Sequence, residues 1–172
     1  MEAVKGMLSQ MKAFEDMIEQ QKQVLEEKKA QDAAAEQAAA AAAKERTKLG
    51  AAVDAAYLIC SADGKTSPEE MGFVCGKVAT LTDGAVDHVM VQELLRESAA
   101  KCDHDGRDGC VANIANTLQS QEEREAAFMV AAAVSWQGGG ISTKEGLALQ
   151  AISGAFGWEM GDMHKLLGKA RA

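Results

Sequence analysis

The chain has 172 residues, of which 47% are hydrophobic but only 4% are aromatic, and its formal net charge is −8. Much of the apolar content is alanine, which favours closely packed helices over a large aromatic core or a β-sandwich. An acidic chain is repelled by nucleic acid and by anionic membranes, so the composition favours basic partners or divalent cations.

Neither a membrane-spanning helix nor a secretion signal is expected. No segment reaches eighteen apolar residues without a charge, and the start, MEAVKGMLSQMKAFEDM, carries acids where a signal peptide needs a continuous apolar stretch. The four cysteines are too sparse for a disulfide framework in a chain of this length. Reduced thiols and a cytoplasmic location are the expectation.

Residues 1–48 predict one long helix, because glycine occurs there only at Gly6 and proline is absent. Large apolar residues recur every seven positions, with companions three residues later, as in the seam of a coiled coil. The repeating residues are Val4, Met11, Ile18 and Leu25, the companions are Met7 and Phe14, and Gln21 and Lys28 interrupt the companion positions. This stripe predicts an arm for self-association or for a protein partner, and packing against the chain's own domain is the alternative.

The second half of this region, AQDAAAEQAAAAAAKERTKLG, has high helix propensity but few large apolar side chains. It predicts a semi-rigid helical spacer that ends at Gly50. The sequence therefore predicts two parts, an interaction arm over residues 1–48 and a compact domain over residues 49–172.

Residues 49–172 predict an all-α domain of shorter helices, since no segment alternates with a period of two for long enough to form a strand. The predicted helices are AAVDAAYLIC, PEEMGFVCGKVATL, DHVMVQELLRESAAKC, CVANIANTLQS, EEREAAFMVAAAVSW, TKEGLALQAISGAF and DMHKLLGKARA. The polar segment DHDGRDG is predicted to form a turn between the third and fourth of these helices.

An internal repeat organises this domain. A shift of 75 residues, which takes Gly64 to Gly139, places AAVDAAYLICSADGKTSPEEM on AAFMVAAAVSWQGGGISTKEG. The other matched pairs are Ser67 and Ser142, Glu70 and Glu145, Leu81 and Phe156, and Asp87 and Asp162. Each unit is thus predicted to be an apolar helix, a glycine turn, a capped helix, a short turn and a helix started by aspartate.

The repeated residues have a local structural explanation. Ser67 is a good N-cap, Pro68 suits the first helical position, and Glu70 completes a capping box, which Ser142 and Glu145 repeat. The two glycines supply the positive φ that ends the preceding helix. None of these roles requires the acid at residue 63.

A helix that ends in ADG, followed by a capping serine and EE and repeated after a helical insert, resembles the tellurite-resistance TerB-like domain. The related domain of membrane-anchored DnaJ-like proteins shares this pattern. The resemblance covers about residues 49–170 and leaves the N-terminal helix unmatched. It implies a compact helical bundle of two pseudo-repeated helix-turn-helix units. It also implies an acidic face that binds divalent cations, and a non-enzymatic role in membrane-associated stress-response complexes.

Carried over by position, the resemblance implies a cation site, with calcium as the candidate ion. Its ligands would be Asp63, Glu69 and Glu70 from the first motif, joined by Glu145 across the pseudo-twofold axis. Gly138 and Lys144 stand where the second motif usually has acids, and hard cations take six or more oxygens, so only weak binding is expected. Helix-end and capping roles are the alternative for these acids.

The remaining polar residues do not predict catalysis. The segment KCDHDGRDGC carries ligand types that zinc accepts but no C-x-x-C pair, so a solvated loop, a zinc site and a short disulfide stay open, with the loop favoured. Cys60 and Cys75 lie in apolar helical segments, where small buried hydrophobic residues are expected. No nucleophile, phosphate-binding or metalloprotease motif is present, so the chain is not expected to be an enzyme.

The sequence therefore predicts a cytoplasmic interaction module that acts through its N-terminal helix, and the resemblance implies that this module is cation-sensitive and acts in a stress-response or membrane-associated complex. Its partner would be a protein or a second copy bound through residues 1–48, with any membrane association made through that partner. A structural subunit of a larger bacterial or phage assembly, with a vestigial metal site, is the alternative.

Overall fold

In the computed structural model, the described residues form six α-helices and no strand, which confirms the all-α prediction. The helices are α1 (Glu2–Cys60), α2 (Pro68–Leu81), α3 (His88–Thr117), α4 (Gln121–Trp136), α5 (Thr143–Ala155) and α6 (Met160–Arg171). The structure describes residues 2–137 and 139–172, and side chains from residue 5 onward. The stripe position assigned to Val4 and the motif position assigned to Gly138 therefore lie outside the described side chains.

The contacts between residues divide the chain into two units, Met1–Lys44 and Glu45–Ala172. The first unit, called the arm below, consists of α1 residues, and its described side chains are exposed. The second unit, called the domain, contains the rest of α1, the other five helices and the buried core of the described residues. The predicted boundary at residue 48 falls four residues after the one observed.

The prediction that a helix ends at Gly50 is wrong, because α1 continues to Cys60. A glycine that ends a helix does so by adopting a positive φ, and Gly50 does not. It is buried instead, and a Cβ at this position would lie 3.6 Å from Leu94 Cδ2. The apolar residues that follow, among them Val53 and Leu58, are buried, and their packing stabilises the continuation of the helix beyond Gly50.

Small side chains let the helices of the domain pack closely. Buried alanines occur on both α1 and α4, and α4 packs against α2, α5 and α6. Phe128 of α4 is fully buried and meets the Trp158 ring edge-on at a centroid distance of 5.4 Å. Phe156 packs on the same tryptophan at 5.1 Å. These aromatic rings close the core beside the start of α6.

The repeat is confirmed in its first half. Gly64 and Gly139 have φ values of +87° and +86°, and Ser67 and Ser142 are both N-caps of complete capping boxes. The same local sequence therefore builds the same turn twice.

The register of the repeat changes at the last helix of each unit. Asp87 is the N-cap of α3, as predicted, but the N-cap of α6 is Glu159, and Asp162 lies in the first turn of that helix. The turn before α3 contains positive φ at both Asp83 and Gly84, whereas the shorter turn before α6 has positive φ only at Gly157. The prediction that Asp162 starts the helix is therefore wrong by three residues.

The predicted polar turn DHDGRDG is confirmed as a break between two helical segments, but the break is confined to Gly106, because α3 is helical on both sides of this residue. This glycine has φ +73° and ψ 172°, a conformation that other residues rarely adopt. Arg107 on the far side of the break donates to backbone carbonyls of Leu58 and Ser61, so a tertiary contact fixes this segment. The sequence pattern could not show that contact.

Candidate functional site

The two glycine turns of the repeat meet at one pocket of about 440 Å³, called the turn pocket below. It is lined by Ile59, Cys60, Asp63, Glu70, Ser142, Thr143, Lys144 and Glu145. The structure therefore brings together three of the four residues expected to bind a cation, namely Asp63, Glu70 and Glu145. The fourth, Glu69, does not line the pocket.

Capping boxes orient two of these carboxylates. Glu70 Oε2 accepts a hydrogen bond from the backbone N–H of Ser67 at 2.9 Å, and Ser67 Oγ accepts one from the N–H of Glu70 at 3.1 Å. Glu145 and Ser142 make the same pair of bonds at 2.7 and 3.2 Å. Each glutamate thus holds the start of its own helix with one oxygen, and this local role needs no ligand.

Asp63 stabilises the first glycine turn. Its Oδ1 accepts a hydrogen bond from the backbone N–H of Lys65 at 3.0 Å, two residues along the chain. An aspartate bound to its own backbone in this way favours the turn that Gly64 completes with its positive φ. All three pocket acids therefore stabilise local backbone structure.

Two carboxylates of the pocket affect the thiol of Cys60. This side chain is only 3% exposed, and burial, together with the charges of Glu70 and Glu145, raises the pKa of the Cys60 thiol to about 12. Cys60 is therefore a neutral thiol at physiological pH and a poor nucleophile. Its burial, like that of Cys75, confirms the expected role as a small apolar core residue.

The turn pocket brings carboxylate groups and an ammonium group together. Calcium takes six to eight oxygen ligands, whereas this pocket offers three carboxylates and also the ammonium group of Lys144. Within the residues that the structure describes, no group of three or more His, Cys, Asp and Glu side chains is arranged to hold a metal ion. The cation site predicted at Asp63, Glu69, Glu70 and Glu145 stays a prediction.

A buried acid that the sequence analysis missed ties α1 to α3. Asp54 is 5% exposed, accepts a hydrogen bond from Ser98 Oγ at 2.5 Å and lies 3.1 Å from Lys101 Nζ. The sequence feature that could have indicated this role is a single acid in the apolar segment AAVDAAYLIC. The matching position of the second repeat is Met129. A lone charge on a buried helical face needs a partner, and this partner came from a distant helix.

Two arginines bind carbonyl groups at the C-terminal ends of helices. Arg107 donates to Leu58 O at 2.7 Å and to Ser61 O at 3.1 Å, at the end of α1. Arg124 donates to Leu118 O at 2.7 Å and to Phe156 O at 3.3 Å, after the ends of α3 and α5. A cation in this position satisfies free carbonyls and opposes the partial negative charge of the helix end.

The segment KCDHDGRDGC holds two cysteines in contact across the helix break. Cys102 Sγ and Cys110 Sγ are 2.7 Å apart. His104 is 88% exposed on its side chain and pairs with Asp105 at 2.6 Å. This segment offers a thiol pair with no third zinc ligand arranged around it in the described part of the chain.

A second candidate surface runs along the arm. Its apolar stripe consists of Met7, Met11, Phe14, Ile18 and Leu25, flanked by Leu8, Met17 and Val24. These eight side chains are between 38% and 64% exposed, although all are large and apolar. None of the helices in the described residues is both long and apolar enough to cross a membrane. The stripe is a narrow apolar surface on a helix that carries both acidic and basic residues.

Comparison with known proteins found no match. No family model matches the chain, and no curated protein or solved structure is significantly similar to it.

Proposed function

We propose that this chain is a non-enzymatic, TerB-like interaction module that assembles with a second copy through the apolar stripe of its arm. The exposure of that stripe supports the proposal. Eight of the thirteen large apolar side chains that are exposed in the described residues lie between Met7 and Leu25. Clustered apolar exposure of this kind marks interaction surfaces, whereas scattered single residues do not.

The spacing of the stripe suits a second helix of the same kind. Residues spaced alternately by three and four positions along a helix form a continuous seam that a matching seam can fill. In a parallel, in-register pair, Lys28 would face Lys28 of the second copy, with like charges in contact. In an antiparallel pair, Phe14 faces Ile18 and Met7 faces Leu25 of the second copy. The antiparallel arrangement therefore avoids the repulsion and pairs these apolar residues, although Met11 faces Gln21 in the same alignment.

The domain contributes the acidic turn pocket to this assembly. Its three carboxylates favour a divalent cation bound weakly, and the resemblance to TerB-like domains supports the same chemistry. By that resemblance, the assembled module acts in a stress-response complex and reaches a membrane through a partner.

A second candidate function is a structural subunit of a larger bacterial or phage assembly, in which the arm assembles and the pocket is vestigial. The position of Lys144 favours it, because this ammonium group lines the pocket beside the carboxylates. The positive charge of Lys144 balances part of the negative charge of the carboxylates, so they need a bound metal ion less.

The role of the stripe is tested by sedimentation velocity of the full chain with Met11→Lys and Ile18→Lys together. Two charges in the seam should convert the assembly to monomer, because each would be desolvated in the interface. The control is Ser9→Lys with Gln23→Lys, which adds the same charge on the opposite face of the arm. Equal sedimentation of the two variants would contradict the proposal. A monomeric parent chain would show that the stripe packs internally or binds another protein.

The role of the turn pocket is tested by the melting temperature of the full chain with and without calcium. If calcium binds with a Kd of about 1 mM, then 10 mM calcium should raise the Tm by a few degrees. Asp63→Ala should abolish this rise, whereas Glu69→Ala, outside the pocket, should keep it. A Tm unaffected by calcium in the parent chain would leave the structural-subunit function as the better account.

A further inference from the structure

The break in α3 brings two thiols together that an unbroken helix would keep apart. Cys102 and Cys110 are eight residues apart, which corresponds to about 12 Å along the axis of a regular helix. Because Gly106 leaves the helical conformation between them, their sulfur atoms are 2.7 Å apart. The contact is thus a product of the helix break, and both residues belong to the same folded domain.

We propose that Cys102 and Cys110 form a reversible disulfide that closes residues 102–110 around the break in α3. The oxidant is a low-molecular-weight disulfide such as oxidised glutathione. One protein thiolate attacks a sulfur of the oxidant and releases one glutathione thiolate, and the second protein thiolate then displaces the other glutathione. The protein loses two protons and two electrons, and two molecules of reduced glutathione are formed.

The environments of the two thiols set the order of attack. Cys110 is 2% exposed, whereas Cys102 is half-buried and is the thiol that solvent reaches. Burial and the neighbouring Cys110 raise the pKa of the Cys102 thiol to about 12, so exchange should be slow at neutral pH and accelerate as the pH rises. Cys102 therefore forms the mixed disulfide and Cys110 resolves it.

The closed segment contains Arg107, which links this pair to the turn pocket. Arg107 holds the end of α1 through Leu58 O and Ser61 O, and the pocket acid at residue 63 follows two residues later. A disulfide across the break restricts the backbone on both sides of Arg107. Oxidation should therefore stabilise the end of α1 and the turn that carries Asp63.

The experiment incubates the full chain with oxidised glutathione at pH 8.5, blocks the remaining thiols under denaturing conditions and digests with trypsin. Cleavage after Lys101 and Arg107 separates CDHDGR from DGCVANIANTLQSQEER. Mass spectrometry should find these two peptides joined, and reduction should release them. Cys60 and Cys75, which are 3% and 1% exposed, serve as internal controls and should be recovered blocked.

Matched variants distinguish a specific disulfide between Cys102 and Cys110 from nonspecific oxidation. Cys75→Ser should keep the joined peptides, whereas Cys102→Ser should lose them. Oxidation should raise the Tm of the parent chain by about 5 °C or more, because it closes a short loop in the unfolded chain. Recovery of both peptides blocked or glutathionylated, with no joined product, would overturn the proposal. So would a joined product between either of these cysteines and Cys60 or Cys75.

Discussion

Asp54 is the only charged side chain that is buried in the described residues, and its position explains how the alanine-rich helix α1 is held against α3. Alanine faces allow close approach but bury little area for each residue, so they define helix orientation weakly. The carboxylate adds a directional contact, since it binds both the hydroxyl of Ser98 and the ammonium group of Lys101. A buried carboxylate is stable only when such partners surround it.

Replacing Asp54 with alanine should lower the free energy of unfolding by about 1–2 kcal/mol, because Lys101 loses its partner and the Ser98 hydroxyl keeps only the backbone carbonyl of Leu94 as an acceptor. The Lys101 side chain is 42% exposed and can turn to solvent, which limits the loss. Urea denaturation of the full chain measures the change. The control, Asp32→Ala on the exposed arm, should change stability by no more than about 0.5 kcal/mol. Equal effects from both substitutions would contradict the assigned role.

Residue roles that depend on neighbours in sequence could be predicted, and roles that depend on distant contacts could not. Ser67 and Glu70 follow a pattern that local chemistry explains, and both capping boxes are confirmed. The roles of Asp54, Arg107 and Arg124 depend on partners more than five residues away. The sequence shows that these charged residues lie in apolar segments or near helix ends, but it does not show which residues they bind.

At the scale of helices and turns, the repeat is a repeat of backbone geometry. Gly64 and Gly139 adopt the same left-handed conformation, four residues after the end of α1 and three residues after the end of α4. Because glycine alone adopts this conformation without strain, the turn could be predicted from sequence. Gly50 was misassigned, and the turn predicted around Gly106 was too long, because tertiary packing decides whether a glycine continues, bends or ends a helix.

Gly64→Ala should lower the free energy of unfolding by about 1–2 kcal/mol, since alanine is strained at a φ of +87°. Gly72→Ala should have the opposite sign and raise it by about 0.5–1 kcal/mol, because Gly72 is helical and a Cβ there meets nothing within 4 Å. Thermal unfolding of both variants provides the comparison. A gain in stability from the alanine at residue 64 would show that the turn does not require this conformation.

The stability of the fold should depend on pH because of an ion pair at the start of α4. Glu123 lies 2.6 Å from Lys48, and this ammonium group, with the backbone N–H groups of Ser120 and Gln119, lowers the pKa of Glu123 to about 2 from the ordinary 4.5. A carboxyl group whose pKa is lower in the folded state stabilises the fold above pH 4.5. That contribution is lost as the pH falls from 4.5 toward 2.

Glu123→Gln tests this dependence, because glutamine keeps a capping side chain but cannot ionise. The Tm of the variant should lie below that of the parent chain at pH 6, and the two should converge near pH 2. Glu122→Gln, on the exposed side of the same helical turn, should follow the parent chain at every pH. A constant Tm difference between the parent and Glu123→Gln across this range would contradict the proposed ion pair.

At the scale of the whole molecule, the chain has two units of different character. The domain buries its apolar side chains around α4, whereas the arm presents its own to solvent. The sequence predicted the helical class, the repeat and the apolar stripe, because each follows from a regular spacing of similar residues along the chain. It could not identify what covers the stripe, since a partner leaves no pattern in this chain beyond the surface it contacts.

Sedimentation equilibrium of the unmodified full chain over a wide range of concentrations tests the central claim that the stripe joins two copies. The monomer mass is 18.1 kDa, so the proposal predicts a weight-average mass that rises with concentration toward twice this value. A mass of 18.1 kDa at every concentration would contradict it.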